Sequence, residues 1–411
     1  MPIPTPFHSR TSRLNKSHEW RNWSGYLAAI TYEPNHDYEY YAVRNSAGLF
    51  DVTPLFKYSV SGPDAAQLVD RIITRDVSKC KVGQVLYTPW CDDHGKMIDD
   101  GTVQRFSEDR FRITAADPNL RWFQDCGYGM DVLVEDVTDE LGALALQGPN
   151  AYKILKEIVS DADLDNLKFF WLTRAKVDGF PIDITRTGYT GDLGYELWVK
   201  NEYAGRLWDV LMEAGERYGL APAGLAALDV VRVEAGLLLA DVDYISSHKA
   251  LIEMRKSSPL EAGLGWAVKL KKQNDFVGRK ALIKEKESGS EWDFVGLEVN
   301  WADIEKLFNT VDLPPLVAGR ASRDPVPIYS HAPIPGKPAR QIGQATSSSF
   351  SPLLKKYLAL ATIESEYAKP GTRVDLEITV EFSRHKAEAT VVEMPFFNPE
   401  RKRVLPGTAG D

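Results

Sequence analysis

Gly95 to Gln104 reads GKMIDDGTVQ and sets two carboxylates, Asp99 and Asp100, side by side among apolar residues. In a strand, successive side chains point to opposite faces. Asp99 would then share a face with Met97, and Asp100 a face with Ile98 and Thr102. One carboxylate could sit in water while the other is pressed against the apolar surface that Ile98 lines. Desolvation and neighbours tune the pKa of such a group, which makes it a candidate general base. Asp-Asp-Gly is also a turn signal, with both charges solvated, and the residues alone leave that alternative open.

A second stretch, TGYTGDLGYE (Thr187 to Glu196), interleaves glycines with Tyr189, Asp192, Tyr195 and Glu196. Glycines permit positive φ or close approach of a ligand. No GK[ST] follows and the acids would repel phosphate, so this is not a phosphate loop. It suits a flat, donor-rich ligand stacked on an aromatic ring and gripped by a carboxylate; a plain glycine hairpin is the alternative. The helical text LAALDVVRVEAG places Arg232 on or beside an apolar stripe. An arginine there needs a partner: Glu234 or Asp229 structurally, or an acidic group in a pocket.

These groups must be positioned by elements that the sequence outlines. VSGPDAAQLVDRI at Val60 and LQGPNAYKILKEI at Leu146 echo each other as strand, Gly-Pro turn and amphipathic helix. Pro63 and Pro149 suit the first turn of each helix, and two related α/β units are expected in the first part of the chain. Strands are expected at 111–116 and 132–137, and two more around the glycine loop. Helices are expected at about 203–217 and across 225–237. From about Asp293, short strand-like runs (FVGLEV, LALATI, RVDLEITV, EATVVEM) predict an antiparallel barrel or sandwich. The proline-rich text between about Asn300 and Pro338 reads as irregular loop. The expected domains are 1–290 and 291–411.

The 411 residues are 44% hydrophobic and 26% charged, as in ordinary soluble proteins, and suffice for two or three domains. The 58 acidic and 49 basic residues give a net charge of −9, which argues against a nucleic-acid binder. Cys80, Cys91 and Cys126 form no CxxC pair, pointing away from a disulfide framework and toward a reducing, cytoplasmic setting. No apolar run suggests a signal peptide or membrane span. The seven histidines are scattered, and no metal site is predicted.

VLYTPWCDDHGKMIDDGTV, LQGPNA, TGYTGDLGYE, GLAALDVVRVEAGL and SPLEAGLGWAVKL, in this order, resemble the glycine-cleavage T-protein, or aminomethyltransferase, family. IGQATSSSFSPLLKKYLALATI, KPGTRVDLEI and ATVVEMPFF resemble its C-terminal domain, so the likeness runs from about Asn45 to Phe397. The resemblance implies an α+β fold, a three-domain cloverleaf of two α/β units and a barrel-like domain around a channel for tetrahydrofolate. It implies transfer of a one-carbon unit from a donor to N5 of that folate. Asp100 matches the catalytic aspartate, with Asp99 as its solvated or structural partner. Glu196 matches the glutamate that grips the pterin, and Tyr189 an aromatic of that pocket. Tyr87 matches the tyrosine of the LY segment, and Arg232 the arginine of the R-x-E-A-G helix.

Three departures concern the donor. EWRNWSGYLAAITYEP replaces the family's N-terminal GW-x-x-P-x-x-Y text, Gly101 stands where leucine is usual, and YISSHKALIEMRKS (Tyr244 to Ser257) is inserted after Asp243. RNSAGLFD, IDDGTV and LKFF also resemble folate-dependent aryl-ether demethylases. The resemblance therefore implies aminomethyl transfer from a lipoyl-carried donor, or demethylation of a small O-, N- or S-methyl compound. A non-catalytic folate-binding module is a third possibility, disfavoured by Asp100. No nucleic-acid or membrane partner is expected.

Overall fold

The computed structural model describes residues 1–317, 319–331 and 339–405. The two echoing segments occupy equivalent places in two different sheets. Strand Phe56–Ser61 leads through Gly62 (φ +125°) into helix Ala65–Ile72, and strand Leu141–Gln147 through Gly148 (φ +127°) into helix Ala151–Ile158. Ala65 N–H donates to Gly62 O and Ala151 N–H to Gly148 O, both at 3.0 Å, closing identical turns. Pro63 and Pro149 lie in these turns, one residue before the N-caps Asp64 and Asn150, rather than in the first helical turn. Each helix buries its apolar residues, Leu68, Val69 and Ile72 or Ile154 and Leu155, in the core of its own sheet.

The first sheet has five strands in the order Val85–Cys91, Met97–Ser107, Arg110–Ala115, Phe56–Ser61, Leu133–Asp136. The second has six: Leu172–Val177, Phe180–Thr185, Gly194–Lys200, Leu141–Gln147, Ala47–Asp51 and the short Leu220–Pro222, which pairs in parallel with Ala47–Asp51. Helix Asn201–Gly215 covers the second sheet, and helix Leu225–Glu234 is buried almost all round. A three-stranded sheet forms from Ile3–Pro4, Tyr26–Ala29 and Trp20–Trp23.

The last third is a closed six-stranded barrel, ordered Trp292–Val299, Lys356–Glu364, Gln341–Ser351, Val326–Ser330, Arg373–Val380, Ser383–Val392. Closure removes the exposed edges that an open sandwich would leave. The expected loop at 300–338 is corrected in two places. Helix Trp301–Asn309 buries Ile304 and Phe308, and Val326–Ser330 is a barrel strand. Prolines hid both: the helix starts at an Asn300 cap before them, and Pro327 is tolerated within its short strand. Residues 332–338 lie outside the described part. The whole is an α+β fold, and no helix among the described residues is long and apolar enough to cross a membrane.

Candidate active site

The acid pair lies within strand Met97–Ser107, and the turn of its hairpin falls earlier, where Asp92 Oδ1 accepts from the N–H groups of His94 and Lys96. The Asp-Asp-Gly turn does not form. Gly101 instead lets the strand press on its neighbour: a Cβ there would lie 1.8 Å from Thr114 O, so the leucine usual at this position could not be carried on this backbone. The two carboxylates face different surroundings, but neither is bathed in water. Asp99 is 1% exposed. Its Oδ2 accepts from Asp117 N–H and Asn119 Nδ2, both at 2.9 Å, and its Oδ1 from Asp100 N–H at 2.8 Å. Asp99 is therefore the structural partner, and a solvated one is ruled out. Burial, then the charge of Asp100, pushes its pKa well above the ordinary carboxyl value.

Asp100 sits between two phenols. Tyr87 O–H donates to Oδ2 at 2.7 Å and Tyr244 O–H donates to Oδ1. Burial raises the Asp100 pKa, against the lowering effect of both hydroxyls. Tyr87 comes from the adjacent strand, its ring stacked on Trp266 with centroids 6.1 Å apart. Tyr244 is the first residue of the insert, and sequence reasoning missed it as a site residue. Its only signal was the insertion itself. The insert is laced to the acid strand: Ser247 N–H donates to Met97 O at 2.7 Å and Met97 N–H to Ser257 O at 2.9 Å. Met97, Tyr244, Val233, Phe294 and Leu358 share one apolar cluster, so Asp100 stands where both sheets' domains and the barrel meet.

On the same face of the acid strand, Thr102 and Gln104 continue the polar line. Gln104 Oε1 accepts from Arg112 Nε at 2.8 Å, and Arg112 reaches across to Asp183 of the six-stranded sheet at 2.9 Å. That sheet carries Glu196, third residue of strand Gly194–Lys200. Thr187 and Thr185 hydroxyls donate to its Oε2 at 2.6 and 3.4 Å, which leaves Oε1 able to accept from a ligand. Burial raises the Glu196 pKa, opposed first by these hydroxyls and then by Arg112. Gln104 Nε2 is buried with no hydrogen-bond partner. Tyr189, on the glycine loop, donates its O–H to Leu238 O; burial raises its pKa, with smaller contributions from the charges of Asp243 and Asp100.

Arg232 is paired with neither residue expected of it as a hydrogen-bond partner. Its Nη1 donates to Asp243 Oδ2 at 2.6 Å and its Nη2 to Ser347 of the barrel at 2.7 Å, while Asp229 stays 3.7 Å from Nε. Glu234 belongs to Arg44 (2.6 and 2.8 Å), Tyr40 and Ser351 instead. Asp243 also accepts from Thr346 at 2.5 Å. Arg232 is fully buried, and it joins its helix to the barrel through Ser347 and to Asp243, the residue before Tyr244. Among the described residues no group of three or more His, Cys, Asp or Glu could hold a metal ion, and the three cysteines are buried free thiols.

Residues 9–272 match the model of the GCVT N-terminal domain, and residues 316–398 that of the glycine cleavage T-protein C-terminal barrel domain. The chain belongs to the glycine-cleavage T-protein, or aminomethyltransferase, family of one-carbon transferases. It is 36% identical to an aminomethyltransferase of Halothermothrix orenii over 389 residues, 94% of this chain and 96% of that one. It is 34% identical to a trimethylamine-oxide aldolase of Ruegeria pomeroyi over 411 aligned residues, covering 97% of this chain; it spans 47%, about half, of that relative. The fold matches the crystal structure of the glycine cleavage system aminomethyltransferase T from Bartonella henselae with a TM-score of 0.80 at 24% identity, over 97% and 99% of the two chains.

Proposed function

We propose that this enzyme is tetrahydrofolate-dependent and moves a one-carbon unit from a donor to N5 of the folate, with Asp100 as base and Glu196 holding the pterin. The observation that carries the reading is Asp100: a partly buried carboxylate at the meeting of three domains, held between two tyrosine hydroxyls. Tetrahydrofolate supplies a nucleophilic nitrogen and a ring with adjacent amino and N–H donors. A carboxylate can accept both donors at once, and Glu196 is fixed by Thr187 and Thr185 with an oxygen to spare. Tyr189 and Tyr87 wall the pocket. Asp100, its pKa raised by burial, accepts the proton that leaves the folate nitrogen as the new bond forms. Tyr87 and Tyr244, whose pKa values burial pushes well above 10, stay protonated and keep the carboxylate aimed. Arg232 acts at one remove by holding Asp243 beside Tyr244. The three reduced thiols fit a cytoplasmic setting.

Two donor classes remain: an aminomethyl group on a lipoyl carrier and a small methylated compound. Tyr244 favours the second as a specific alternative, because the insert brings a hydroxyl to the reacting carboxylate, through which the proton that Asp100 takes up can pass to a departing oxygen or nitrogen. The relative named for trimethylamine oxide also supports a small methylated donor. The test is incubation with tetrahydrofolate and lipoylated carrier, methylamines, sulfonium compounds or methoxy-aromatics, weighing the folate product. Methylene-folate marks the first class and methyl-folate the second; no adduct with any donor would sink the assignment.

A further inference from the structure

We propose that the segment Pro395–Leu405, which follows the barrel, is a strap that holds the glycine loop in place, with Arg401 as a positioning residue acting through Asp192. The proposal rests on the reading that this loop grips folate. Arg401 Nε and Nη2 donate to the two oxygens of Asp192 at 2.7 and 2.9 Å, a two-pronged pairing that fixes direction as well as distance. The Asp192 side chain is fully buried, and it sits in the middle of TGYTGDLGYE, between Tyr189 and Glu196. The neighbouring Gly191 has φ +71°, and a Cβ on it would lie 2.5 Å from Ala235 Cβ, so the loop has no slack toward helix Leu225–Glu234.

The strap is tied down at both ends of this contact. Phe397 N–H donates to Glu234 O at 2.8 Å, and the Phe397 ring lies under the Arg44 guanidinium at 4.3 Å. Arg44 in turn donates to Thr190 O of the loop at 2.8 Å and stands 3.7 Å from Asp192. Beyond Arg401, Arg403 O accepts from Arg186 Nη2 at 3.0 Å, and Leu405 enters the apolar core that holds Leu193 and Tyr195. The loop is thus gripped by Arg44 from beneath and by Arg401 from the segment that follows the barrel. Arg401 lies after residue 398, where the match to the family's barrel domain stops. Arg44 stands 3.7 Å from Asp192 but is already paired with Glu234, so Arg401→Ala leaves Asp192 only partly compensated and is expected to lose some stability, whereas Arg401→Lys keeps the charge and is expected to fold as wild type does.

The experiment compares wild type, Arg401→Ala and Arg401→Lys as full chains, by amide hydrogen exchange without ligand and by tetrahydrofolate binding and turnover. For Arg401→Ala, exchange in residues 187–196 should rise about tenfold with the barrel and sheets unchanged. Folate Kd and KM should rise about tenfold, with kcat at saturation within about twofold, as expected for lost uniform binding. Arg401→Lys should restore part of this, since an ammonium supplies the charge without the fork. Unchanged loop exchange overturns the proposal, as does a uniform rise across the molecule with a lower melting temperature. If wild type binds no tetrahydrofolate while the loop still loosens in Arg401→Ala, the folate reading falls and the strap stands.

Discussion

Replacing Asp100 by Asn removes charge and basicity while keeping shape, and the structure says what else changes. Both oxygens of Asp100 accept from hydroxyls, Tyr87 and Tyr244. A hydroxyl can turn to accept from an amide N–H. Asp100→Asn therefore keeps two hydrogen bonds, and its stability should stay within about 1 kcal/mol of wild type. Tetrahydrofolate binding should survive, because Glu196 and the aromatic walls are untouched. Turnover should fall about 10²–10⁴-fold, the usual share of a positioned base, or about 2.7–5.4 kcal/mol of activation free energy. Asp99→Asn behaves in the opposite way. Its oxygens accept from the backbone N–H groups of Asp100 and Asp117 and from Asn119, which cannot reverse. Either orientation of the new amide points N–H at a backbone N–H, a loss of about 1–3 kcal/mol. The assay is single-turnover transfer read by folate mass, beside calorimetric binding and thermal melts of both variants. Full turnover in Asp100→Asn, with normal folding, would refute the assignment of the base.

Glu196→Gln should weaken tetrahydrofolate by about 1.5–3 kcal/mol in calorimetry, one charge-assisted hydrogen bond, because the amide presents donors where the pterin also donates; equal binding would remove Glu196 from the pocket. Tyr244→Phe takes away a hydroxyl that lowers the Asp100 pKa. The base must be ionised to work, so activity falls as pH drops through its pKa. The acid limb of the pH–rate profile should therefore move to higher pH in Tyr244→Phe, and a limb that stays put or moves down contradicts the pairing. Arg232→Met strands Asp243 in the interior and should cost about 3–5 kcal/mol of stability in denaturant melts; a small loss would mean that Asp243 finds other donors.

Local pattern was enough for the repeated strand–turn–helix units and the β character of the last third, whereas it left the acid stretch open between strand and turn and the glycine stretch open between ligand loop and hairpin. The first two rest on periodicity or turn chemistry within a dozen residues, and the order of the family motifs tied them to one fold. The same pattern could not say which acid faces water. Strand alternation separates Asp99 from Asp100, but the far wall behind Asp99 is built by Asp117 and Asn119, and only packing shows that Asp99 is the buried acid and Asp100 the partly exposed one. Arg232 was legible only in part: the expected Asp229 stands 3.7 Å from its Nε, but its hydrogen-bond partners, Asp243 and Ser347, lie 11 and 115 positions away, beyond what helix spacing can point to. Tyr244 was visible as the start of an insertion, yet nothing in its own neighbourhood places its hydroxyl on Asp100, 144 positions earlier. The chemistry-bearing residue types were fixed locally by the chain. Their partners were decided where two sheets and a barrel close on one another, because hydrogen-bond partners of a buried charge are chosen by space and not by sequence distance.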